Sequence, residues 1–142
     1  MKRKELFPAK TVVYTDGGSR GNPGPAAVGV VIGDKEYGEY LGEKTNNQAE
    51  YEAVIFALKK IKQLVGKAKA KESEVEIRMD SELVARQLGG EYKILEEELQ
   101  PLFVKVWNLK FDFKEVQFRY VPREKNRRAD KMVNKILDAQ MF

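Results

Sequence analysis

The 142-residue chain contains neither cysteine nor histidine. The lack of cysteine excludes disulfides and thiolate metal sites. The lack of histidine removes the side chain that ordinarily titrates near neutral pH, so any chemistry must use carboxylates, hydroxyls, lysines, arginines or bound ions. No apolar run approaches the ~20 residues that span a membrane, and no segment resembles a signal peptide. We therefore expect a cytoplasmic protein without membrane contact.

The length and the charge distribution set further expectations. A chain of this size predicts one domain, residues 1–142. The net charge is +4, and basic residues concentrate in two stretches, 59–71 and 119–135. Such stretches fit a polyanionic partner, although a solvated helix face is the more ordinary explanation of a single lysine-rich segment.

The hydrophobic pattern predicts five strands and four helices in the order β-β-β-α-β-α-α-β-α. "GDK" is typical of a hairpin between the second and third strands. Strands that follow a helix crossover are normally parallel, so the sequence predicts an α/β fold with a mixed sheet covered by helices. Pro101 is expected to kink the third helix. The predicted strands cover residues 11–15, 27–32, 36–42, 74–79 and 116–120, and the predicted helices cover 47–65, 81–88, 95–109 and 126–139.

Four acids occupy comparable places in this pattern. Asp16 and Asp80 each follow a predicted strand, at the edge where open α/β sheets bind ligands. Glu50 and Asp130 lie near the starts of the first and last helices. Carboxylates without histidine or cysteine favour Mg²⁺ or Mn²⁺, and two such ions can activate water and stabilise the leaving oxygen of a phosphodiester.

Three of these acids also have a purely structural interpretation. Glu50 follows Asn47 by three residues and could close a helix-capping box. Asp80 could start the next helix, and Asp130 could be an acid favoured by the helix dipole. Asp16 is harder to explain in this way, because the segment after it is rich in glycine and proline, which lets a chain or a substrate approach closely.

Four segments, in order and spacing, resemble the signatures of type 1 ribonuclease H. They are "YTDGGSRGNPGPAAVGVVI", "KTNNQAEYEAVIFAL", "RMDSELVARQL" and "YVPREKNRRADKMVNKI", and the resemblance covers residues 11–137. It implies the ribonuclease H fold, a five-stranded mixed sheet with its first three strands antiparallel and helices on both faces. It also implies cleavage of the RNA strand of an RNA–DNA hybrid with two Mg²⁺ ions, leaving 5′-phosphate and 3′-hydroxyl ends.

The same resemblance assigns roles to individual residues. Asp16 would bridge both ions, Asp130 would hold the ion that activates water, and Glu50 with Asp80 would hold the ion on the leaving-group side. The hybrid would be contacted by residues of two segments, and the loop segment would read the 2′-hydroxyls of the RNA strand. We expect a monomer with these substrate-binding residues: Ser19, Gly21, Asn22, Thr45, Asn46, Asn47 and Gln48.

The chain departs from the family pattern in three places. Many members carry a histidine before the final aspartate, where this chain has "VPREKNRRAD"; Arg123 is our candidate for an electrostatic substitute, with Lys125 nearby. "GGEYKI" leaves no room for the basic insertion of some members, so the lysines of 59–71 or the later arginines would have to compensate. Glu82 stands where several members have an amide that contacts RNA.

Two other classes of function fit the sequence less well. A non-catalytic nucleic-acid-binding module on this fold would have no need of all four acids. A recombination nuclease, an exonuclease or the ribonuclease H part of a reverse transcriptase would share the metal site, but the 2′-hydroxyl-reading loop and the lack of polymerase sequence argue against them.

Overall fold

A computed structural model describes residues 10–140, which form a five-stranded mixed sheet in the order β3-β2-β1-β4-β5. β1 pairs antiparallel with β2, and β2 with β3, whereas β4 runs parallel to both β1 and β5. The predicted mixed sheet with three antiparallel strands is confirmed. The strands are β1 (Lys10–Ser19), β2 (Gly24–Ile32), β3 (Lys35–Lys44), β4 (Glu74–Met79) and β5 (Glu115–Tyr120).

Within residues 10–140, five helices connect and cover these strands. They are α1 (Asn46–Val65), α2 (Lys67–Glu72), α3 (Glu82–Leu88), α4 (Gln100–Lys110) and α5 (Arg127–Ala139), with 3₁₀ turns at Glu97–Leu99 and Arg123–Lys125. The short helix α2 was not predicted. Gly66, at φ +88°, separates it from α1, because that backbone conformation interrupts a right-handed helix and suits glycine.

The predicted kink at Pro101 is wrong. α4 begins at Gln100, so the proline lies in the first turn, where its missing N–H has no intrahelical partner to lose. The five residues before Gln100 that were assigned to this helix form instead a coil and the turn Glu97–Leu99, and Leu95 is 78% exposed.

β1 is longer than the apolar run predicted. It continues through Ser19, because its antiparallel pairing with β2 extends to Ser19 and Ala26. Its parallel pairing with β4 ends earlier, at Thr15 and Met79. Asp16 therefore lies inside a strand, at the first position where β1 has lost its neighbour on one side.

Helices pack on both faces of the sheet, as expected. α1 contacts β1 and β2 on one face, where Val13, Leu58 and Ile77 belong to the main buried cluster. α5 contacts β2 and β3 on the other face, through Val133 and Leu137. The helical spacing of the buried residues thus sets which face of α1 and of α5 packs on the sheet.

Two glycines allow both helices to approach the sheet next to Asp16. A Cβ on Gly17 would lie 2.1 Å from the carbonyl oxygen of Ala49 in α1. A Cβ on Gly29 would lie 2.2 Å from the carbonyl oxygen of Ala129 in α5. These distances are far below van der Waals contact, so only glycine permits the observed packing. Each contacted alanine directly precedes an acid, Glu50 or Asp130.

Between residues 10 and 140, every helix is too short or too polar to cross a lipid bilayer.

Candidate active site

Three carboxylates from three different elements converge at this edge of the sheet. Asp16 comes from β1, Glu50 from the first turns of α1, and Asp80 directly follows β4. Each offers one oxygen atom, and these oxygens all lie within 4.8 Å of one another. Asp130, in the first turn of α5, approaches the Asp16 carboxylate to within hydrogen-bonding reach. The structure thus brings together all four acids that the sequence singled out.

The electrostatics of this cluster disfavour full ionisation. Burial, followed by repulsion from Asp80 and Asp130, raises the pKa of Asp16 to about 8. Burial, followed by repulsion from Asp16 and Asp80, also raises the pKa of Glu50 well above its ordinary value. The pKa of Asp80 is raised mainly by burial. Like charges held this close in a poorly solvated place cannot all ionise without a compensating cation.

The capping interpretation of Glu50 is wrong. The capping box of α1 is formed by Thr45 and Gln48: the Thr45 hydroxyl accepts from the Gln48 N–H, and the Gln48 side chain accepts from the Thr45 N–H. Glu50 Oε1 is buried and has no hydrogen-bond partner in the described chain. A buried carboxylate oxygen without a donor is costly unless something else occupies it.

Asp80 is likewise free of a capping role. The hydroxyl of the next residue, Ser81, caps α3 by accepting from the N–H of Val84. Asp130 does fit its structural interpretation, because a carboxylate in the first turn of α5 interacts favourably with the helix dipole.

The donor set fits a divalent cation. All candidate ligands are carboxylate oxygens, which suit Mg²⁺ or Mn²⁺. The unpartnered Oε1 of Glu50 would gain a ligand, and the repulsion that raises the pKa of Asp16 would be relieved by positive charge. Bound divalent cations would therefore both find suitable ligands at this site and relieve the repulsion among its carboxylates.

Arg123 lies at the rim of the cluster. Its Nε is 4.0 Å from Oδ2 of Asp80, and its side chain is 87% exposed. Its positive charge favours the ionised forms of Asp80 and Glu50, which lowers their pKa values against the effect of burial. An exposed guanidinium at this place is free to reorient toward an incoming anion. This placement is compatible with the electrostatic role that we predict for it.

The predicted substrate-contact residues of the β1–β2 segment are linked to α1. The amide and the hydroxyl of Ser19 both donate to Oδ1 of Asn46, at 2.9 and 3.2 Å. The backbone N–H of Asn46 donates in turn to Oδ1 of Asn22, at 2.9 Å, and the Ser19 hydroxyl also reaches the Gly21 carbonyl. The loop is thereby held against the N-terminus of α1, beside the acids.

Asn47 makes a contact that the sequence did not predict. Its Nδ2 donates to Oε2 of Glu96, at 3.2 Å, across 49 residues of chain. Glu96 belongs to the irregular segment between α3 and α4, where the family resemblance led us to look for a basic insertion. That segment contains no helix apart from the 3₁₀ turn. No sequence signal marked Glu96, because this pairing depends on tertiary packing alone.

Two of the lysines expected to compensate for the insertion are engaged within the protein. Lys62 pairs with Asp112 at 3.1 Å, and the Lys60 ammonium lies 4.9 Å from the centre of the Tyr37 ring. Glu82, at the third departure from the family pattern, pairs with Arg86 at 2.9 Å. The contribution of these residues to substrate binding stays a prediction.

Comparison with known proteins agrees with the sequence resemblance. A family profile described as reverse transcriptase-like matches residues 14–136. Ribonuclease HI of Halobacterium salinarum is 42% identical over 131 residues, covering 88% of this chain and 63% of the relative. A bifunctional protein of Mycobacterium tuberculosis is 36% identical over 137 residues, covering 92% of this chain. The chain spans only 36% of the length of that relative.

Solved structures share the fold over almost their whole length. LC11-RNase H1 in complex with an RNA/DNA hybrid superposes with a TM-score of 0.84 at 47% identity, covering 90% of this chain and 96% of the other. RNase H1 from Halobacterium salinarum gives a TM-score of 0.82 at 40% identity, with 91% and 98% covered. Together with the clustered acids and the matched sheet topology, these similarities show that the chain belongs to the type 1 ribonuclease H family.

Proposed function

We propose that the protein is an endoribonuclease that hydrolyses the RNA strand of RNA–DNA hybrids and leaves 5′-phosphate and 3′-hydroxyl ends. The observation that carries this proposal is the convergence of Asp16, Glu50 and Asp80 within 4.8 Å, with Asp130 beside them. Relatives named as ribonuclease H support the reaction, and a similar protein crystallised with an RNA/DNA hybrid supports the substrate.

The four carboxylates would hold two divalent ions, with Mg²⁺ as the proposed physiological metal. When bound, such ions lower the pKa of water and stabilise the leaving oxygen of a phosphodiester. The chain's own contribution is to fix its carboxylates before substrate arrives: Asp16 is held in a strand, while Gly17 and Gly29 seat the helices that carry Glu50 and Asp130. Neither histidine nor cysteine is present to act as a base.

The hybrid would lie across the loop of β1–β2 and the N-terminus of α1. The dipole at the N-terminus of α1 favours anions such as phosphate, and it acts there although the N–H groups of Asn46 and Gln48 already donate within the protein. Ser19, Asn22 and Asn46 are already joined by hydrogen bonds, so little conformational entropy is lost when the substrate binds. Residues that touch the minor groove here can distinguish RNA from DNA by its 2′-hydroxyl groups.

A strand-labelled hybrid tests this proposal. The protein is incubated with the hybrid in Mg²⁺, in Mn²⁺ and in EDTA, with DNA and RNA duplexes of the same sequence as controls. We expect cleavage of the RNA strand alone and only with a divalent ion. The products should be joined by a ligase without kinase treatment, and should no longer be joined after phosphatase treatment, as 5′-phosphate and 3′-hydroxyl ends require. Equal cutting of the DNA duplex, or full activity in EDTA, would refute the proposal.

A further inference from the structure

Asn126 joins three of the elements that carry the acids. It lies between the turn Arg123–Lys125 and helix α5, and only 1% of it is exposed. We infer that Asn126 is a positioning residue: its side chain sets the separation of Asp16, Asp80 and Asp130, and thereby the affinity of the site for divalent ions. This inference rests on the metal-dependent function proposed above.

Its contacts reach each element separately. The Asn126 side-chain amide donates to the carbonyl oxygen of Thr15, at 2.8 Å, directly before Asp16 in β1. The same side chain also lies close enough to the Asp80 carboxylate to interact with it. Its carbonyl oxygen accepts from the N–H of Asp130, at 3.1 Å. Asn126 is thus hydrogen-bonded to β1 and to α5, and it lies beside the carboxylate that follows β4.

The Thr15 contact falls at a place where the sheet cannot supply it. β4 stops pairing with β1 at Thr15, and the next residue is Asp16. An amide donor at this point fixes the backbone just where the parallel ladder ends. Loss of that donor would leave a buried carbonyl without this partner and release the strand beside Asp16.

The side chain forgoes its usual role in order to make these contacts. Asn126 is the N-cap residue of α5, a position where asparagine ordinarily accepts from a backbone N–H of the first turn. No such bond is present, and Oδ1 is buried without a partner among residues 10–140. Helix α5 therefore lacks the stabilisation of a side-chain N-cap bond. Such a departure from local preference is expected at functional sites.

Residues that orient metal ligands typically change metal affinity or activity by about 10- to 100-fold when replaced. The discriminating variant is Asn126→Ser, because serine is an equally good N-cap but is too short to reach Thr15. Asn134→Ser is the matched control: Asn134 lies one turn beyond Asp130 on the same helix and is exposed. Asn126→Gln keeps the amide on a longer side chain.

The experiment measures Tm as a function of Mg²⁺ and of Mn²⁺ concentration without substrate, and kcat and KM for the hybrid at saturating metal. For Asn126→Ser we expect a metal-free Tm somewhat below that of the parent, because the Thr15 carbonyl loses its donor while the helix keeps a good N-cap residue. The metal concentration at half-maximal Tm shift should rise about 10-fold or more. KM for the hybrid should stay within about twofold of the parent, because the substrate contacts lie elsewhere. The metal concentration at half-maximal Tm shift should be intermediate for Asn126→Gln, between those of the parent and of Asn126→Ser. For Asn134→Ser it should equal that of the parent.

The outcomes separate this inference from the proposed function. If Asn126→Ser responds to metal as the parent does, Asn126 does not position the ligands and the inference is wrong. If Asn126→Ser and Asn126→Gln are both unfolded with and without metal, Asn126 serves the fold alone and the inference is also wrong. A parent protein that shows no metal response and cuts no hybrid would instead refute the proposed function.

Discussion

At the scale of single residues, Asp16 combines a strongly raised pKa with the proposed role of bridging ligand. Asp16→Asn should lower kcat by at least about 100-fold, because an amide neutralises little of the charge of a cation. The same variant should be more stable than the parent without metal. A pKa raised from 3.8 to about 8 costs the folded parent stability as the pH rises between these values.

The free energy of unfolding of Asp16→Asn should therefore exceed that of the metal-free parent only slightly near pH 4, and by about 1 kcal/mol or more above pH 8. Urea denaturation in EDTA across this range measures it. Asp138→Asn, at an exposed position on α5, is the control and should show no such trend. A parent and an Asp16→Asn variant of equal stability at pH 9 would contradict the repulsion that we describe.

Arg123 is the second residue whose role can be isolated. Because its side chain is 87% exposed, Arg123→Ala should leave Tm unchanged. We expect kcat to fall about 10-fold, since a guanidinium near a scissile phosphate stabilises developing charge. Arg123→Lys should recover only part of the rate, because an ammonium lacks the planar fork. Lys125→Ala, in the same turn, is the matched control, and a variant Arg123→Ala as fast as the parent would exclude a catalytic part for this side chain.

At the scale of elements, the seating of α5 on the sheet depends on Gly29. Gly29→Ala places a Cβ 2.2 Å from the Ala129 carbonyl, so the helix must shift. We expect a loss of about 1–3 kcal/mol in the free energy of unfolding and a fall in kcat, because Asp130 follows Ala129. Gly18→Ala is the control for stability: its Cβ would meet Val133 at an ordinary 3.6 Å. Equal losses of stability in both variants would show that the close approach is unimportant.

A buried acid on β4 joins three strands on the sheet face away from α1. Glu76 is 2% exposed and contacts Lys10 at 2.8 Å, Arg78 at 2.6 Å and Arg119 at 3.1 Å. The hydrogen bond from Lys10 is the largest cause that lowers the pKa of Glu76 to about 2, and Arg78 adds to it against the effect of burial. These contacts tie β1, β4 and β5 together across the sheet.

The lowered pKa of Glu76 gives a stability that depends on pH. Its contribution is complete above the ordinary value of 4.5 and is lost as the pH falls from there toward 2. Glu76→Gln should thus cost about 2 kcal/mol at pH 7, less than the pKa shift alone implies because the partner cations are partly exposed, and much less at pH 3. Urea denaturation at the two pH values measures this. A cost that is independent of pH would rule out an electrostatic origin.

At the scale of the whole molecule, binding of the hybrid should depend on distributed positive charge. The net charge is +4, and no basic helix occupies the segment between α3 and α4. KM should therefore rise steeply with salt, in proportion to the phosphates that are neutralised. Lys59 lies nine residues beyond Glu50 on α1, or about 14 Å along the helix, within reach of a bound duplex.

Neutralising Lys59, Lys60 and Lys62 together should raise KM more than it lowers kcat and should make the salt dependence shallower. Asp112→Asn breaks the same ion pair with Lys62 without removing positive charge, so it controls for lost stability. A salt dependence that is unchanged in the triple variant would mean that these lysines form only a solvated and internally paired face.

Local pattern was sufficient for much of the architecture. Alternating Val75, Ile77 and Met79 predicted β4, and helical spacing around Leu58 predicted α1, because burial imposes these periods on any amphipathic element. The errors came from competing local signals. Asn47 and Glu50 matched a capping box, but Thr45 and Gln48 form it two residues earlier. Pro101 was expected inside a helix that in fact begins beside it.

The sequence by itself determined the class of the fold, the four acids and the family, since these depend on local periodicity and on ordered short motifs. Only the tertiary structure decided how the acids meet. The early end of β4 beside Asp16, the contact of Glu96 with Asn47 and the side-chain bond of Asn126 to Thr15 join residues between 49 and 111 positions apart. Contacts between residues so far apart in the sequence depend on how the helices pack on the sheet at Gly17 and Gly29, and no local pattern encodes them.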